Sequence, residues 1–350
     1  MGSCVNHQQL FIRQDEYKPE ITDIHQRSTH ALSYANTVNP YVSEFLFKSG
    51  KINIKYPDNK KFAVCITHDI DQLFSMNKDL LKQALRDISK GSILKLSSTL
   101  SPLFNKRNNP YYNIRNLLEI EKSYDANSTF FFLALGKKEI DFNYDLDDVK
   151  NVFKAIKEND SEIGLHAGHL AFNDLKKLSQ EKRKLEDIIQ SEVIGIRNHF
   201  LKFRNPDTWE VQCKAGFKYD VSYGFNDATG FRNGMCHPFN PYNVLRQEYI
   251  DIIEIPLTLM DCTLDRYMQL DFENSWKVAK SLIDKVEQTC GVFCLLWHNT
   301  YFFKENLHLY LKILDYCQSK GAWLTSGEKI FKWWKENNIK SKFYEDLDDG

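Results

Sequence analysis

The sequence predicts an α/β fold, a mainly parallel sheet covered by helices, with an N-terminal extension. Three observations carry that prediction. Short apolar runs alternate along the chain with longer segments in which apolar residues recur every three or four positions, as Leu307, Tyr310, Leu311 and Leu314 do. Several of the short runs are continuously apolar, the pattern of strands covered on both faces. The length of 350 residues suits one large α/β domain plus an extension better than two equal domains.

Taken in order, residues 1–57 are mixed and polar. They hold one apolar cluster, Tyr41–Phe47, and run into a turn signal at Tyr56-Pro57-Asp58-Asn59. They are expected to pack as an extension on a main domain spanning residues 58–337. Strands are expected at Phe62–Thr67, Thr129–Ala134, Glu162–Leu165, Val193–Ile196, Ile252–Ile255, Val292–Trp297 and Trp323–Thr325. The amphipathic segments between them predict helices over Lys78–Ser89, Ile114–Tyr124, Asp147–Asn159 and Asp174–Gln190. Further helices are expected over Asp207–Ala215, Phe272–Gln288, Asn306–Ser319 and Glu328–Asn337. The acidic tail, residues 338–350, is expected to fray from Tyr344 onward. Strands alternating with helices admit a closed barrel or an open doubly wound sheet. No GxGxxG turn follows the first strand, which argues against the dinucleotide-binding form of the open sheet.

Composition excludes other classes. A net charge of −1 with interspersed signs lacks the basic face of a nucleic-acid binder. No apolar stretch reaches bilayer length, and the first twenty residues have no signal-peptide core. Met1-Gly2 opens like a myristoylation signal, but Asn6 stands where Ser or Thr is needed. The eight cysteines, Cys4 among them, form no CxxC pair, and several sit in apolar runs as buried free thiols do. The cytoplasm is the expected compartment.

The chemistry-bearing residues cluster at strand exits. Phe62–Thr67 runs into His68-Asp69-Ile70-Asp71, and Glu162–Leu165 into His166-Ala167-Gly168-His169. Val193–Ile196 runs into Arg197-Asn198-His199, and Val292–Trp297 into His298-Asn299-Thr300. Five of the ten histidines lie at these four exits, where parallel α/β folds build their active sites. Asp69 and Asp71, two apart, share a side of an extended chain, so one can bind a cation while the other acts as a base. His166 and His169 could present two imidazoles to one metal if the segment turned helically. Arg197 could hold a carboxylate base through paired hydrogen bonds, and His298 could protonate a leaving group. Each feature also has a bland reading, as an N-cap, a packed histidine or a surface ion pair. Coincidence at four strand ends favours the functional one.

At these residues the chain resembles the polysaccharide deacetylases, carbohydrate esterase family 4, with their NodB-type homology domain, over about residues 58–335. Thr67-His68-Asp69-Ile70-Asp71 matches a T-x-D-x-D variant of the family's first motif. Ser128–Phe132 looks like its second strand, Glu162–His166 like the approach to its second motif, and Leu295–Asn299 like its last motif. Gly195–His199 and Gly230–Gly234 match the G-x-R-x-H and G-F-R-x-G segments of an uncharacterised bacterial subgroup. The resemblance implies a distorted (β/α) barrel in which Asp69 is the general base, oriented by Arg197. Asp71 and His166 are then ligands of one divalent metal ion, zinc by expectation, and His298 is the general acid. The family's second motif has two histidines four apart, whereas Leu170 occupies that place here and His169 stands one place early. The third ligand is thus His199 or His169, with His199 favoured because it follows the arginine motif. An aspartate that tunes His298 is expected at Asp220 or Asp227.

The resemblance implies removal of acyl, foremost acetyl, groups from an N-acetylated carbohydrate. A non-sugar linear or cyclic amide is a further possible substrate. The rivals are a catalytically silent sugar-binding barrel and a metal-free glycosidase with two carboxylates. The loop Phe225–Tyr242, with Phe231, Arg232, Phe239 and Tyr242, is read either as an aromatic wall for a sugar or as a loop packed down by its own rings.

Overall fold

The computed structural model describes residues 6–17, 22–32, 37–74, 77–89, 99–103, 108–134 and 144–347. The Met1-Gly2 start, Cys4 and the last three residues of the acidic tail lie outside the described residues. Eleven strands occur among the described residues. They are β1 (Phe62–Ile70), β2 (Thr129–Leu133), β3 (Glu162–Ala167), β4 (Gly195–Asn198), β5 (Tyr219–Asp220), β6 (Tyr242–Asn243), β7 (Glu248–Tyr249), β8 (Ile253–Glu254), β9 (Leu257–Met260), β10 (Val292–Leu296) and β11 (Ala322–Thr325). Nine of them form one sheet in the order β8-β5-β4-β3-β2-β1-β10-β9, with β11 against β1, while β6 and β7 make a separate antiparallel hairpin. Every pairing in the large sheet is parallel.

The long first strand is divided between two neighbours. Its first half pairs with β11, from Phe62 opposite Ala322 to Cys65 opposite Thr325. Its second half pairs with β2, from Thr67 opposite Thr129 to Ile70 opposite Phe132. The sheet curls because its edge strands β8 and β9 are separated only by Ile255 and Pro256. Two residues bridge at most about 10 Å, so the edges must meet. Backbone bonds from Ile255 N to Asp220 O (2.9 Å) and from Leu257 N to Tyr223 O (3.2 Å) stitch that seam. The result is a half-barrel jacketed by helices, the distorted barrel expected.

The helices begin where side chains can cap them. Asp174, Asp271 and Ser326 accept from the backbone N–H of Lys177, Asn274 and Lys329, and open the helices Leu175–Ile189, Phe272–Gln288 and Gly327–Glu336. Two glycines open space within the sheet. A Cβ on Gly164 would overlap the Phe131 ring, and one on Gly195 would overlap the Tyr219 ring. All nine residues of β1 and all five of β2 are buried, which is why these strands read as continuous apolar runs.

All seven expected strands occur, with shifted ends. β1 and β3 run further than expected and carry Asp69 and His166 inside the strand, because the ladders to β2 and β4 continue past the apolar run. The fourth strand lies at Gly195–Asn198 rather than Val193–Ile196. β5, β9 and the hairpin were not expected, being only two to four residues long.

The first 57 residues contact the barrel through buried polar groups. Glu16, buried, accepts from Arg232 Nη2 (2.8 Å) and Tyr223 Oη (2.9 Å) and lies 2.8 Å from Arg13 Nη2. Removing one partner of such a buried set costs about 3–5 kcal/mol. The helix Tyr41–Lys48 directs the N–H of Val42 and Ser43 onto Gly234 O at 3.0 and 3.1 Å. Gly234 has φ 72°, and a Cβ there would meet Leu10 and Val42.

The expected fraying from Tyr344 does not occur through Leu347. Phe343 and Leu347 are buried, and the Tyr344 ring stacks on Tyr242 at 3.9 Å. The acids of the tail are also held, Glu345 by the Tyr249 hydroxyl and Asp346 by Lys51 and Lys340. Three apolar anchors outweigh the local charge. Among the described residues no helix is long and apolar enough to cross a membrane.

Candidate active site

The four polar strand exits meet at the C-terminal mouth of the barrel, around a cavity of about 470 Å³ whose lining includes Asp69, Asp71, His166, His199 and His298. Thr67, Asp69 and Asp71 share the inner side of β1 and its exit through the two-residue period of an extended chain. His68 faces the other way. Its Nδ1 lies 2.7 Å from Trp297 O and its Nε2 2.6 Å from Glu121 Oε1. A carbonyl can only accept, so Nδ1 carries a hydrogen and donates. The bond ties the end of β1 to the end of β10, which delivers His298.

His166 Nδ1 bonds Arg197 O at 3.0 Å, which leaves Nε2 facing inward, 3.1 Å from Asp71 Oδ1 and 3.6 Å from Asp69 Oδ2. His199 follows β4 in a turn where Phe200 and Leu201 adopt φ of 60° and 52°. That left-handed turn accompanies the return of the His199 ring toward the mouth. Its Nε2 lies 3.8 Å from Asp71 Oδ1, and its ring centre 4.9 Å from that of His166.

Asp71, His166 and His199 each offer a donor atom within 4.8 Å of the others. Asp71 Oδ1 and His199 Nδ1 are buried without a hydrogen-bond partner in the protein. Two imidazole nitrogens, one carboxylate oxygen and an orphaned oxygen among them fit a divalent cation of the zinc kind, with a position open to the cavity. The protonation states agree with this. Burial pushes His199 down to about 3 against the pull of Asp71, so the ring is neutral. Burial opposes ionisation of Asp71, but the adjacent His166 imidazole and the fields of His199 and His298 hold it below the usual carboxylate range.

His298 stands just past β10. Its Nδ1 lies 2.7 Å from Asp261 Oδ1, its backbone N–H donates to Asp261 Oδ2 at 2.6 Å, and its Nε2 is 3.7 Å from Asp71 Oδ2. Burial would lower its pKa, but Asp261, followed by Asp71 and Asp69, pushes it up to about 10. The imidazolium is therefore the neutral-pH form.

Asp261 corrects the expectation of Asp220 or Asp227. Asp220 lies deeper in the barrel, accepts from Ser222 Oγ at 2.5 Å and neighbours Glu254; burial raises the pKa of both acids. Asp227 accepts the backbone N–H groups of His30 and Ala31 at 2.8 and 3.2 Å. Asp261 escaped the sequence reading because β9 did. Leu257-Thr258-Leu259-Met260 is mostly apolar and leads into an acid, but four residues are too few to mark a strand.

Arg197 departs from expectation, and the geometry separates two pairs of open alternatives. Arg197 makes no ion pair with Asp69; it is fully buried and its Nη2 donates to Thr67 Oγ1 at 2.8 Å. Its side chain leaves β4 opposite His166 and reaches back to Thr67, two residues before the first acid. His169 stays outside the cluster, with its Nε2 3.4 Å from His25 Nδ1 and its ring edge-on to Phe200. β3 ends at Ala167, and Gly168 N turns away onto Glu181 Oε2 at 2.9 Å, so no helical turn aligns His169 with His166. The rings of Phe225, Phe231 and Phe239 are buried in the packed-down loop, with Arg232 held by Glu16, and Tyr242 stacks on Tyr344. The cavity's aromatic lining comes instead from Tyr111, Phe200, Tyr267, Tyr301 and Phe303.

A curled parallel sheet with a carboxylate–histidine cluster at its C-terminal mouth defines the class of protein to compare. Neither a protein-family model nor a curated protein sequence matches the chain. Among solved structures the chain is similar to one from Mycobacterium smegmatis assigned as a polysaccharide deacetylase. The TM-score is 0.57 at 15% identity, over 83% of this chain and 95% of that one. The fold is that of the polysaccharide deacetylases. Weaker likenesses reach a carbohydrate esterase family 4 pseudoenzyme from Bacillus anthracis (TM-score 0.41, 12% identity, 82% of this chain and 68% of that one). They also reach a family 4 carbohydrate esterase from Streptomyces lividans (TM-score 0.40, 10% identity, 77% and 93%).

Proposed function

We propose that this protein is a metal-dependent hydrolase that removes acyl groups, foremost acetyl, from an amide- or ester-linked carbohydrate, with residues 58–337 as the catalytic barrel. The observation that carries the reading is the Asp71–His166–His199 donor set, with a second carboxylate on one side and a protonated histidine on the other. Asp71, His166 and His199 would hold the cation, zinc by its donor preference. Bound there, it would supply Lewis acidity that lowers the pKa of water and polarises the acyl oxygen.

The remaining work falls to the chain's own groups. Asp69 Oδ1 is buried without a hydrogen-bond partner and is placed to take the proton of the attacking water. Arg197 brings a buried positive charge beneath the two acids and reaches β1 through Thr67. As the tetrahedral intermediate collapses, His298 gives its Nε2 proton to the departing nitrogen or oxygen. Asp261 keeps the ring turned for that transfer by holding Nδ1–H. The complete donor set favours this reading over a silent sugar-binding barrel. The free thiols of the described cysteines favour a cytoplasmic setting.

Metal analysis of the purified protein, followed by acetate release from N-acetylated oligosaccharides, tests the proposal. One equivalent of metal and chelator-sensitive acetate release are expected. Turnover that survives complete chelation would instead point to the two-carboxylate glycosidase.

The role of Asp261 yields a pH prediction. Asp261 raises the pKa of His298, so Asp261→Asn lets the imidazolium lose its proton at lower pH. The alkaline limb of kcat should move down by about one to three units, with little change in KM. An alkaline limb left where it was would remove Asp261 from the mechanism.

A further inference from the structure

A second set of donors lies beside the first, and the deacylation chemistry leaves one of its members unused. Asp261, Cys262 and His298 come from the ends of the adjacent parallel strands β9 and β10, where Met260 pairs with Leu296. The residues just past that pair therefore face one another. One carboxylate oxygen, the Cys262 sulfur and one imidazole nitrogen lie within 4.8 Å of each other. Cys262 and His298 both line the cavity, so a cation can reach them without opening the core. Of the described cysteines, Cys262 is the one in that lining.

We propose that Asp261, Cys262 and His298 form a second, soft-metal site that takes Zn²⁺, and Cd²⁺ more tightly, and that its occupation withdraws His298 from proton transfer. A sulfur, a nitrogen and a carboxylate oxygen make a zinc-type donor set, and the thiolate favours softer cations over magnesium or calcium. Bond lengths of about 2.0–2.3 Å place tetrahedral donors about 3.5 Å apart. The observed triangle closes onto a metal with side-chain movements on the order of 1 Å. The fourth position opens to the cavity and suits water. Binding is a proton exchange without redox change. The Cys262 S–H bond breaks, its proton goes to solvent and the sulfur lone pair forms the metal bond. His298, an imidazolium before binding, also gives up a ring proton to solvent, and the lone pair that this frees forms the metal bond in place of the hydrogen bond to Asp261. The Asp71–His166–His199 set is left intact, so the second metal inhibits without displacing the first.

The inhibitory part rests on the deacetylase reading, whereas the binding part does not. Protein carrying one equivalent of zinc is titrated with cadmium chloride, and metal content and the ultraviolet thiolate-to-cadmium charge-transfer band are followed together. The expected result is a second equivalent whose binding brings up the band while the first zinc is retained. In Cys262→Ser the band should be absent, with the first zinc and the far-ultraviolet circular dichroism unchanged. In His298→Ala the band should remain but need more than about tenfold more cadmium. A full band in Cys262→Ser overturns the proposal. So does undiminished cadmium affinity in His298→Ala, or cadmium that enters only by displacing the first zinc. If the second equivalent binds as described but no glycan is deacetylated, the site stands and the functional reading fails.

Discussion

Asp69→Asn is expected to fold and bind its metal like the parent protein while kcat falls by about two to four orders of magnitude. Asn keeps the shape of the side chain but cannot accept a proton at neutral pH. Asp69 lies outside the three-donor cluster, which is made by Asp71 on the far side of Ile70. Its Oδ2 is 3.6 Å from His166 Nε2, near enough to face the reacting water without serving as one of the three donors. Because the loss is confined to the transition state, KM should change little. Metal content, KM and kcat measured side by side on this one variant decide the assignment. Turnover at the parental rate would remove Asp69 as the base, and with it the deacetylase mechanism at its first motif.

The second large effect concerns the metal. Asp71→Ala and His199→Ala should each lose most metal affinity and, with it, activity, whereas His169→Ala should retain both. The geometry separates the two histidines. His199 Nε2 faces Asp71, while His169 faces His25 and the Phe200 ring on the N-terminal side of the mouth. Removing a direct ligand should cost more than the 10- to 100-fold that loss of an outer-shell partner costs. Metal content after dialysis against a weak chelator reads the difference. If His169→Ala lost metal and His199→Ala kept it, the binding set would have to be rebuilt around His166 and His169.

The outer parts of the site were legible because parallel strands buried on both faces cannot vary much along their length. Their ends therefore show as abrupt changes from apolar to polar residues. Phe62–Thr67 followed by two acids two apart, and Val292–Trp297 followed by His298, mark two strands leading to one mouth. The two-residue period even assigns Asp69 and Asp71 to one side and His68 to the other. Helices such as Phe272–Gln288 were equally legible, since a capping Asp271 and a 3.6-residue apolar repeat are both local signals.

Whatever depended on which strand lies beside which was decided by the tertiary structure. The sheet curls into a half-barrel because its two edge strands are consecutive in the chain, a consequence of strand order that no local window contains. Asp261 reaches His298 only because β9 pairs with β10, and a four-residue strand gives too short a pattern to be recognised beforehand. The nearness of His199 to Asp71 and the distance of His169 from it go with the left-handed turn at Phe200 and Leu201 and with the place where β3 stops. Arg197, set opposite His166 by the ladder of β4 on β3, reaches across to Thr67 rather than to an acid, a contact between strands that no single strand's pattern contains. The sequence by itself determined which residues stand at the mouth, through periodicity and burial along single strands. Only the packing of strands against each other determined which of those residues touch, because contact is set by strand order and register.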